Sequence, residues 1–389
     1  MNRIYYAERD TTLYEKHTER NTGIDEILEL TKVHSGSRSF EMGIDLGIQS
    51  NTYNSRILLD FGSQITELSQ SIVSGEIPLL NNSNIKSGSV FLSLRATEAS
   101  DLLQTYSIKA YAVSESWDNG NGTFSDKPEA RIGSSWLYRS GDAKAQTALP
   151  WNTGSAHSAN TSFGSTEKQG GGAWITGSGF EASQSFQNES PDIRINVTDI
   201  VQSWLAGSAT NNGFIIKRPH ADEIDGEARG SIKFFGRESH TIFVPKLEVV
   251  FDDSSGQPAN PISSNTYVPY FKNIKAEYRT SEIYRFFVGV RPEFPSKTFV
   301  TGSFFLTNDQ LPVSSSYEII DSITNDVIIK DEKIFGNSTT KISNSNANGS
   351  FFDLRMDSFM PERYYKIKLT CRRANDTQTF DDFFFKVVN

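Results

Sequence analysis

The sequence predicts an all-β protein of two β-sandwich domains, the first carrying one short helix. Three observations point there. Aromatic residues make up 12% of the 389 residues, with 27 Phe against 4 Met, in a chain also rich in Ser, Thr, Asn and Gly; this composition favours sheets over helical bundles. Apolar and polar residues alternate with a period of two through most recognisable elements. A Pro- and Ser-containing segment, 253–266, separates two stretches long enough for cores of their own.

From the N-terminus, residues 5–61 read as strands broken by Asn/Gly turns such as Asn21-Thr-Gly23. Ile24–Val33 fits neither period well: its Glu content suggests a helix, while Ile27, Leu28, Leu30 and Val33 only partly alternate. Ile65–Gly75 is polar and Ser/Gln-rich, of helical or loop character. Ser89–Arg95 and Ser107–Val113 alternate as strands. Between Ser114 and Ser190 the texture changes to Gly, Ser, Asn and Thr, yet four of the five tryptophans lie here: Trp117, Trp136, Trp151 and Trp174. A disordered linker would lack them, so long structured loops pinned by aromatic anchors are expected.

Ile193, Ile195 and Val197 close a strand, and Thr198 is placed to cap a helix with Asp199 in its first turn. Ile200, Val201, Trp204 and Leu205 form one apolar stripe, and Gly207 stops the helix. This is the sole well-formed helix expected, at about 198–206. Asn211-Asn-Gly213 turns into the strand Phe214–Ile216. Beyond the linker, residues 267–389 hold short aromatic-rich strands, among them Tyr284–Val290, Phe299–Leu306, Tyr364–Leu369 and Phe380–Val388, around a strong turn at Asn344–Gly349. Their spacing and number predict a smaller immunoglobulin-like sandwich.

Charge is uneven. Residues 1–264 hold 22 Lys and Arg against 32 Asp and Glu; residues 265–389 hold 16 against 15. The acidic first part excludes a polyphosphate-binding role and hence nucleic acid. The lone cysteine, Cys371, alternates with Ile367 and Leu369 and reads as a buried strand residue. The N-terminus lacks the apolar core of a signal peptide, and no run approaches the roughly 20 apolar residues of a membrane span. Synthesis in a cytoplasm, with no membrane partner, is the expectation.

The residues that could carry chemistry form no active site. Acidic groups such as Glu115, Asp118, Asp126 and Glu129 surround Trp117, but nothing pairs two carboxylates across a cleft. The five histidines, His17, His34, His157, His220 and His240, share no ligand spacing. The oxygen-rich run His220–Glu227 lacks the spacing of a calcium loop and reads as solvated loop. Gly170-Gly-Gly172 is not followed by Lys-Ser/Thr, so it is no phosphate loop, and no Gly-x-Ser-x-Gly elbow occurs. No enzyme activity, cofactor or metal is expected. Trp117, Trp136, Tyr138, Trp151 and Trp174 remain as aromatic candidates for a glycan platform or an interface, against the reading that they are hydrophobic anchors.

Four pieces in order resemble the DNRLRE-type (disaggregatase-related) jelly-roll domain over residues 1–252. They are Tyr6–Tyr14 with Asn21-Thr-Gly23, Ser55-Arg-Ile-Leu-Leu-Asp-Phe61, the phrase Arg194–Arg218, and Pro245-Lys-Leu-Glu-Val-Val-Phe251. The resemblance implies an N-terminal jelly-roll β-sandwich at 1–252, a linker at 253–266 and the smaller sandwich at 267–389, and makes Ile24–Val33 a strand. Such domains occur as carbohydrate-binding modules and in virion proteins of tailed bacteriophages. This chain is similar to the second kind. The resemblance therefore implies a virion structural protein of the tail, neck or baseplate region, a homo-oligomer whose partners are other virion proteins. Contacts would come from the loops of 114–190 and from the C-terminal domain. The alternative is a carbohydrate-binding module with a glycan as its partner.

Overall fold

In the computed structural model, which describes residues 2–35, 38–41, 44–48, 51–77, 88–152, 170–294, 309–334, 336–373 and 376–389, strand alternation decides what each face of the first sheet does. Strands Glu181–Gln187, Thr105–Ala112, Phe214–Lys217, Asn51–Asp60, Ile27–Ser35, Gly230–Phe235 and Ala96–Ser100 lie side by side in that order, and Arg9–Tyr14 also pairs with Asn51–Asp60. Direct partners share a face. Ile57, Leu59, Ala110, Phe214 and Ile216 therefore point one way, into the sandwich, and are buried. Arg56, Leu58, Ile215, Lys217 and Tyr111 point the other way, and they are buried too. A sheet buried on both faces needs two layers of cover. Gly88–Leu94 pairs with Ile193–Asn196 in a second sheet, with Leu92, Leu94, Ile193 and Ile195 buried. The fold is an all-β sandwich architecture.

The chain divides into two compact units, one of Tyr5–Val73 with Val90–Glu248, the other of Met1–Ile4, Ser74–Ser89 and Val249–Asn389. The division falls at Val249, inside the strand Lys246–Phe251, and not after residue 252. Residues 253–266, read from composition as a linker, carry no strand and run along the second unit. The amide of Asn344 donates to the carbonyl of Ser255 (2.9 Å), that of Ile262 to Gln310 O (2.9 Å) and that of Gln310 to Asn260 O (2.9 Å). Ile262 is buried in that unit's core.

Ile24–Val33 resolves as strand Ile27–Ser35. The expectation of a sole helix is corrected, because the described residues of the first unit hold three: α1 (Gly62–Val73), α2 (Thr198–Leu205) and α3 (His220–Ile224). In α1 the buried Ile65, Leu68 and Ile72 recur at i, i+3 and i+7, but Ser and Gln between them dilute the stripe. Its start is held from outside the helix: Asp60 Oδ1 accepts from the Gly62 amide (3.1 Å) and Glu8 Oε1 from that of Ser63 (3.1 Å).

Helix α2 lies where the motif placed it, with a different cap. Its N-cap is Val197, which has no side-chain cap bond. Thr198 Oγ1 instead donates to Asn196 Oδ1 (2.6 Å) and accepts from the Val90 amide (2.9 Å), tying the helix start to the second sheet. The turn after the helix uses Gly207 at φ +71°, where a Cβ would be strained. Trp204 is buried with its ring 4.7 Å from Phe214, and Phe214 in turn meets Phe61 at 6.0 Å.

The second unit is a sandwich of two sheets. Tyr267–Phe271, Ile283–Pro292, Gly349–Arg355 and Ser343–Ser345 form one; Glu277–Arg279, Asp376–Val388, Arg363–Arg373, Ser316–Asp321 and Val327–Ile329 form the other. Stacked rings join them: Phe286 lies on Phe352 (5.3 Å, 11°), and Phe352 on Tyr317 of the facing sheet (4.1 Å, 18°). Cys371 is buried in the same core, where burial pushes its thiol up to about 11. The expected strand Phe299–Leu306 lies outside the described residues.

Trp204→Ala is expected to lower unfolding free energy by about 3–5 kcal/mol in urea titration, since it leaves a cavity against Phe214. A loss under about 1 kcal/mol would place the helix stripe outside the core.

Candidate functional site

The buried outward face of the large sheet is the unusual part of this molecule. Arg56 comes from strand Asn51–Asp60, Lys217 from its neighbour Phe214–Lys217, and the register sets them side by side. Pro219 then starts α3, which delivers Glu223 onto the pair. Arg56 Nε and Nη2 donate to the two Glu223 oxygens at 3.0 and 2.8 Å, and Lys217 Nζ lies 2.7 Å from Oε2. All three side chains are about 1% exposed, so this is a charge cluster inside the protein.

Two cations share one carboxylate there. Burial alone would raise the Glu223 pKa, but Arg56 and then Lys217 hold it below the usual carboxylate range. Burial pushes the Lys217 ammonium down to about 8 against the pull of Glu223. The surplus positive charge meets aromatic faces and carbonyls. Arg56 sits over Trp136 (4.8 Å) and Trp174 (5.1 Å), and Lys217 over Trp174 (5.1 Å). Arg56 Nη1 donates to Gly171 O (2.7 Å) and Lys217 Nζ to Arg218 O (2.9 Å).

The four loop tryptophans are brought together, but as a lid. Trp117, Trp136, Trp151 and Trp174 are buried in one cluster with Leu13, Leu58, Tyr111 and Ile215. Of the two readings of these tryptophans, burial agrees with the hydrophobic anchors and not with a platform of exposed rings: they pack in one cluster with side chains of the sheet. Tyr138 is half-buried on the short strand Tyr138–Ser140. Trp117 Nε1 donates to Asn212 O and Trp151 Nε1 to Ser135 O, both at 2.9 Å. Residues 153–169 of these loops lie outside the described residues.

Two sequence motifs acquire a role in this lid. Asn21 is buried and uses its whole amide: Nδ2 donates to Asn119 O (2.7 Å) and Ser134 O (2.8 Å), while Oδ1 accepts from the amides of Gly23 (3.2 Å) and Gly122 (2.9 Å). It fastens loop 119–134 to the first strands. Gly171 has φ +83°, and a Cβ there would come within 2.5 Å of Arg56 Nη1 and 2.8 Å of the Trp136 ring. The triple glycine is the place where backbone must pass close over the cluster.

The run His220–Glu227, considered for calcium, is occupied by cations of the protein itself. Glu223 binds Arg56 and Lys217, and Asp225 accepts from buried Lys32 and from Arg229. Among the described residues no group of three or more His, Cys, Asp and Glu is placed to hold a metal ion. The sequence reading missed Arg56 and Lys217, and weighed Glu223 only as part of a calcium loop. The available signal was a charged residue inside the apolar strands Ser55–Phe61 and Phe214–Arg218.

No protein-family model and no curated protein matches the chain. Among solved structures, a Parabacteroides merdae beta-glucuronidase with glycerol in its active site aligns with 97% of this chain at 9% identity and a TM-score of 0.16. This chain spans 35% of that protein's length. A likeness that slight carries no argument about fold or activity.

The cluster makes an ordered prediction. Glu223→Gln leaves two buried cations and should cost about 3–5 kcal/mol in chemical denaturation. Lys217→Met leaves the neutral Arg56–Glu223 pair and should cost less than about 1 kcal/mol. The reverse order would contradict the charge count. A second expectation concerns Asp10, which is buried, accepts from the Arg237 amide (2.6 Å), and is pushed by burial up to about 7. Its folded pKa lies above the unfolded one, so its contribution is fully present below about 4 and is lost as pH rises through about 7. Wild-type stability should therefore fall by about 1–3 kcal/mol more than that of Asp10→Asn between pH 5 and pH 8. Parallel pH–stability curves would contradict this.

Proposed function

We propose that this chain is a structural subunit of a tailed-bacteriophage virion, working by assembly. The observation that carries the reading is the outer face of the five-stranded sheet in the second unit. There Val327, Ile320, Lys366 and Phe384 are direct cross-strand partners in one row, and Tyr364 pairs with Lys386 in the next. Phe384 and Tyr364 are each more than half exposed, and Ile323 at 69% follows in the adjoining turn, where the Ser322 amide donates to Tyr364 O (3.0 Å). Large side chains are costly to leave in water, and a patch of them on a rigid sheet marks a contact surface.

The charges around the patch come in both signs. Lys366 pairs with Asp381, Lys386 with Glu362 and Lys368 with Glu318. The patch interleaves exposed rings with lysines, Lys366 beside Phe384 and Lys386 beside Tyr364, each paired with a carboxylate. A face that carries apolar groups and both signs can meet its own copy across a two-fold axis, which suits a second copy of this chain. The first unit, with its loop tryptophans packed on the large sheet, suits a spacer. The DNRLRE-type resemblance supports placing such a subunit in a virion.

Two measurements test this. The purified chain should self-associate by analytical ultracentrifugation, and Tyr364→Asp with Phe384→Asp should weaken association at least about tenfold without altering the fold. Mass spectrometry of purified phage particles should find the chain at fixed stoichiometry. A monomer at high concentration that is also absent from particles would overturn the proposal.

A further inference from the structure

Arg218 follows Lys217 and faces the opposite side of the large sheet, the interior of the sandwich. It is 2% exposed, yet no carboxylate among the described residues forms an ion pair with it. Its Nε has no partner, and its one donated bond, from Nη2 to Gly230 O, is long at 3.4 Å. The carboxylate of Asp222 is close enough to act on Arg218 electrostatically but pairs with Arg229 at 3.6 Å.

A second donor stands unused near it. Extending the register of strands Phe214–Lys217 and Thr105–Ala112 by one pair sets Arg218 opposite Ile108, so Tyr106 lies two residues along on the same face. The Tyr106 hydroxyl is buried without a partner among the described residues, while the ring, stacked on Phe186 (4.7 Å, 8°), is half-buried and borders solvent. The two groups act on one another electrostatically, and burial dominates both: it pushes the Arg218 guanidinium down to about 10 and the Tyr106 phenol upward.

A buried guanidinium without an ion pair costs several kcal/mol even where carboxylates act on it from a distance, and an arginine does not discharge to escape that cost at ordinary pH. A planar fork of donors with a phenol beside it matches one oxyanion group. From these observations we infer that Arg218 and Tyr106 form a receptor for a small oxyanion, a carboxylate or a phosphate, which completes the charge balance of this end of the sandwich. Its groups differ from those of the Arg56–Glu223–Lys217 cluster, whose cations project from the other face of the same sheet, although Glu223 acts on Arg218 electrostatically; it is independent of the assembly proposal.

The test is a thermal-unfolding titration of the whole chain with sodium acetate, sodium phosphate or sodium chloride at fixed ionic strength and pH, using wild type, Arg218→Met and Tyr106→Phe. Wild type should gain roughly 3 °C in Tm with acetate or phosphate over chloride, saturably, with the larger gain identifying the preferred anion. Arg218→Met should show no such gain and, in chloride, should be at least as stable as wild type, because it removes a charge that has no partner. Tyr106→Phe should keep part of the gain. Equal responses to the three salts in wild type, or the same response in Arg218→Met, would overturn the inference. So would an Arg218→Met variant that unfolds in chloride where wild type does not.

Discussion

Two buried cations on one carboxylate set the terms for the rest of the first unit. Arg56 and Lys217 project from the outward face of the large sheet, where strand alternation would ordinarily leave them in water. Because Glu223 binds both, the face can be dehydrated, and because one positive charge is left over, whatever covers the face must supply electron-rich rings and carbonyls. Trp136, Trp174 and the Gly171 carbonyl meet that requirement. The described parts of the Gly- and Ser-containing loops are held against the sheet by these contacts, with Asn21 as the second fastening.

Much of the architecture could be read from local sequence. Period-two alternation gave several strands of both sandwiches, though not Glu181–Gln187, which lies in the stretch 114–190 read as loops and pairs with Thr105–Ala112. The stripe Ile200, Val201, Trp204 placed α2 on Phe214. Helix α1 was obscured because its stripe is only three residues deep and its N-terminal acceptors, Asp60 and Glu8, lie before the helix and at a distance in sequence. Thr198 looked like a cap by residue type, yet a strand amide nearby claimed its hydroxyl. The segment 253–266 looked like a linker by composition. Composition cannot show that Gln310, fifty residues on, would bond along it.

The site was less legible, for a definite reason. Tryptophans clustered in loops announce either an exposed platform or a buried lid, and sequence does not say which face of a sheet lies under them. The deciding residues sit in strands far apart in the chain: Arg56 is 161 positions from Lys217, and Glu223 is on a helix of five residues. Only the register between Asn51–Asp60 and Phe214–Lys217 brings them together. With the tryptophans committed to the interior, the exposed rings on a sheet face are, among the described residues, Tyr364 and Phe384 of the second unit. One unit made rigid by an internal charge network and another presenting an apolar face is a division of labour suited to repeated assembly.

The most direct test of this account is native-state hydrogen exchange on the Glu223→Gln variant at a temperature where it remains folded. The Gly171 amide donates to Trp136 O, that of Leu137 to Thr18 O and that of Trp151 to Leu137 O, so these three report on the lid alone. If the ion cluster holds the lid, they should exchange at least about tenfold faster in the variant, while the amides of Ile57, Leu58 and Leu59 keep their protection. Unchanged protection at Gly171, Leu137 and Trp151 would contradict the claim that the loops are held down by the charges beneath them.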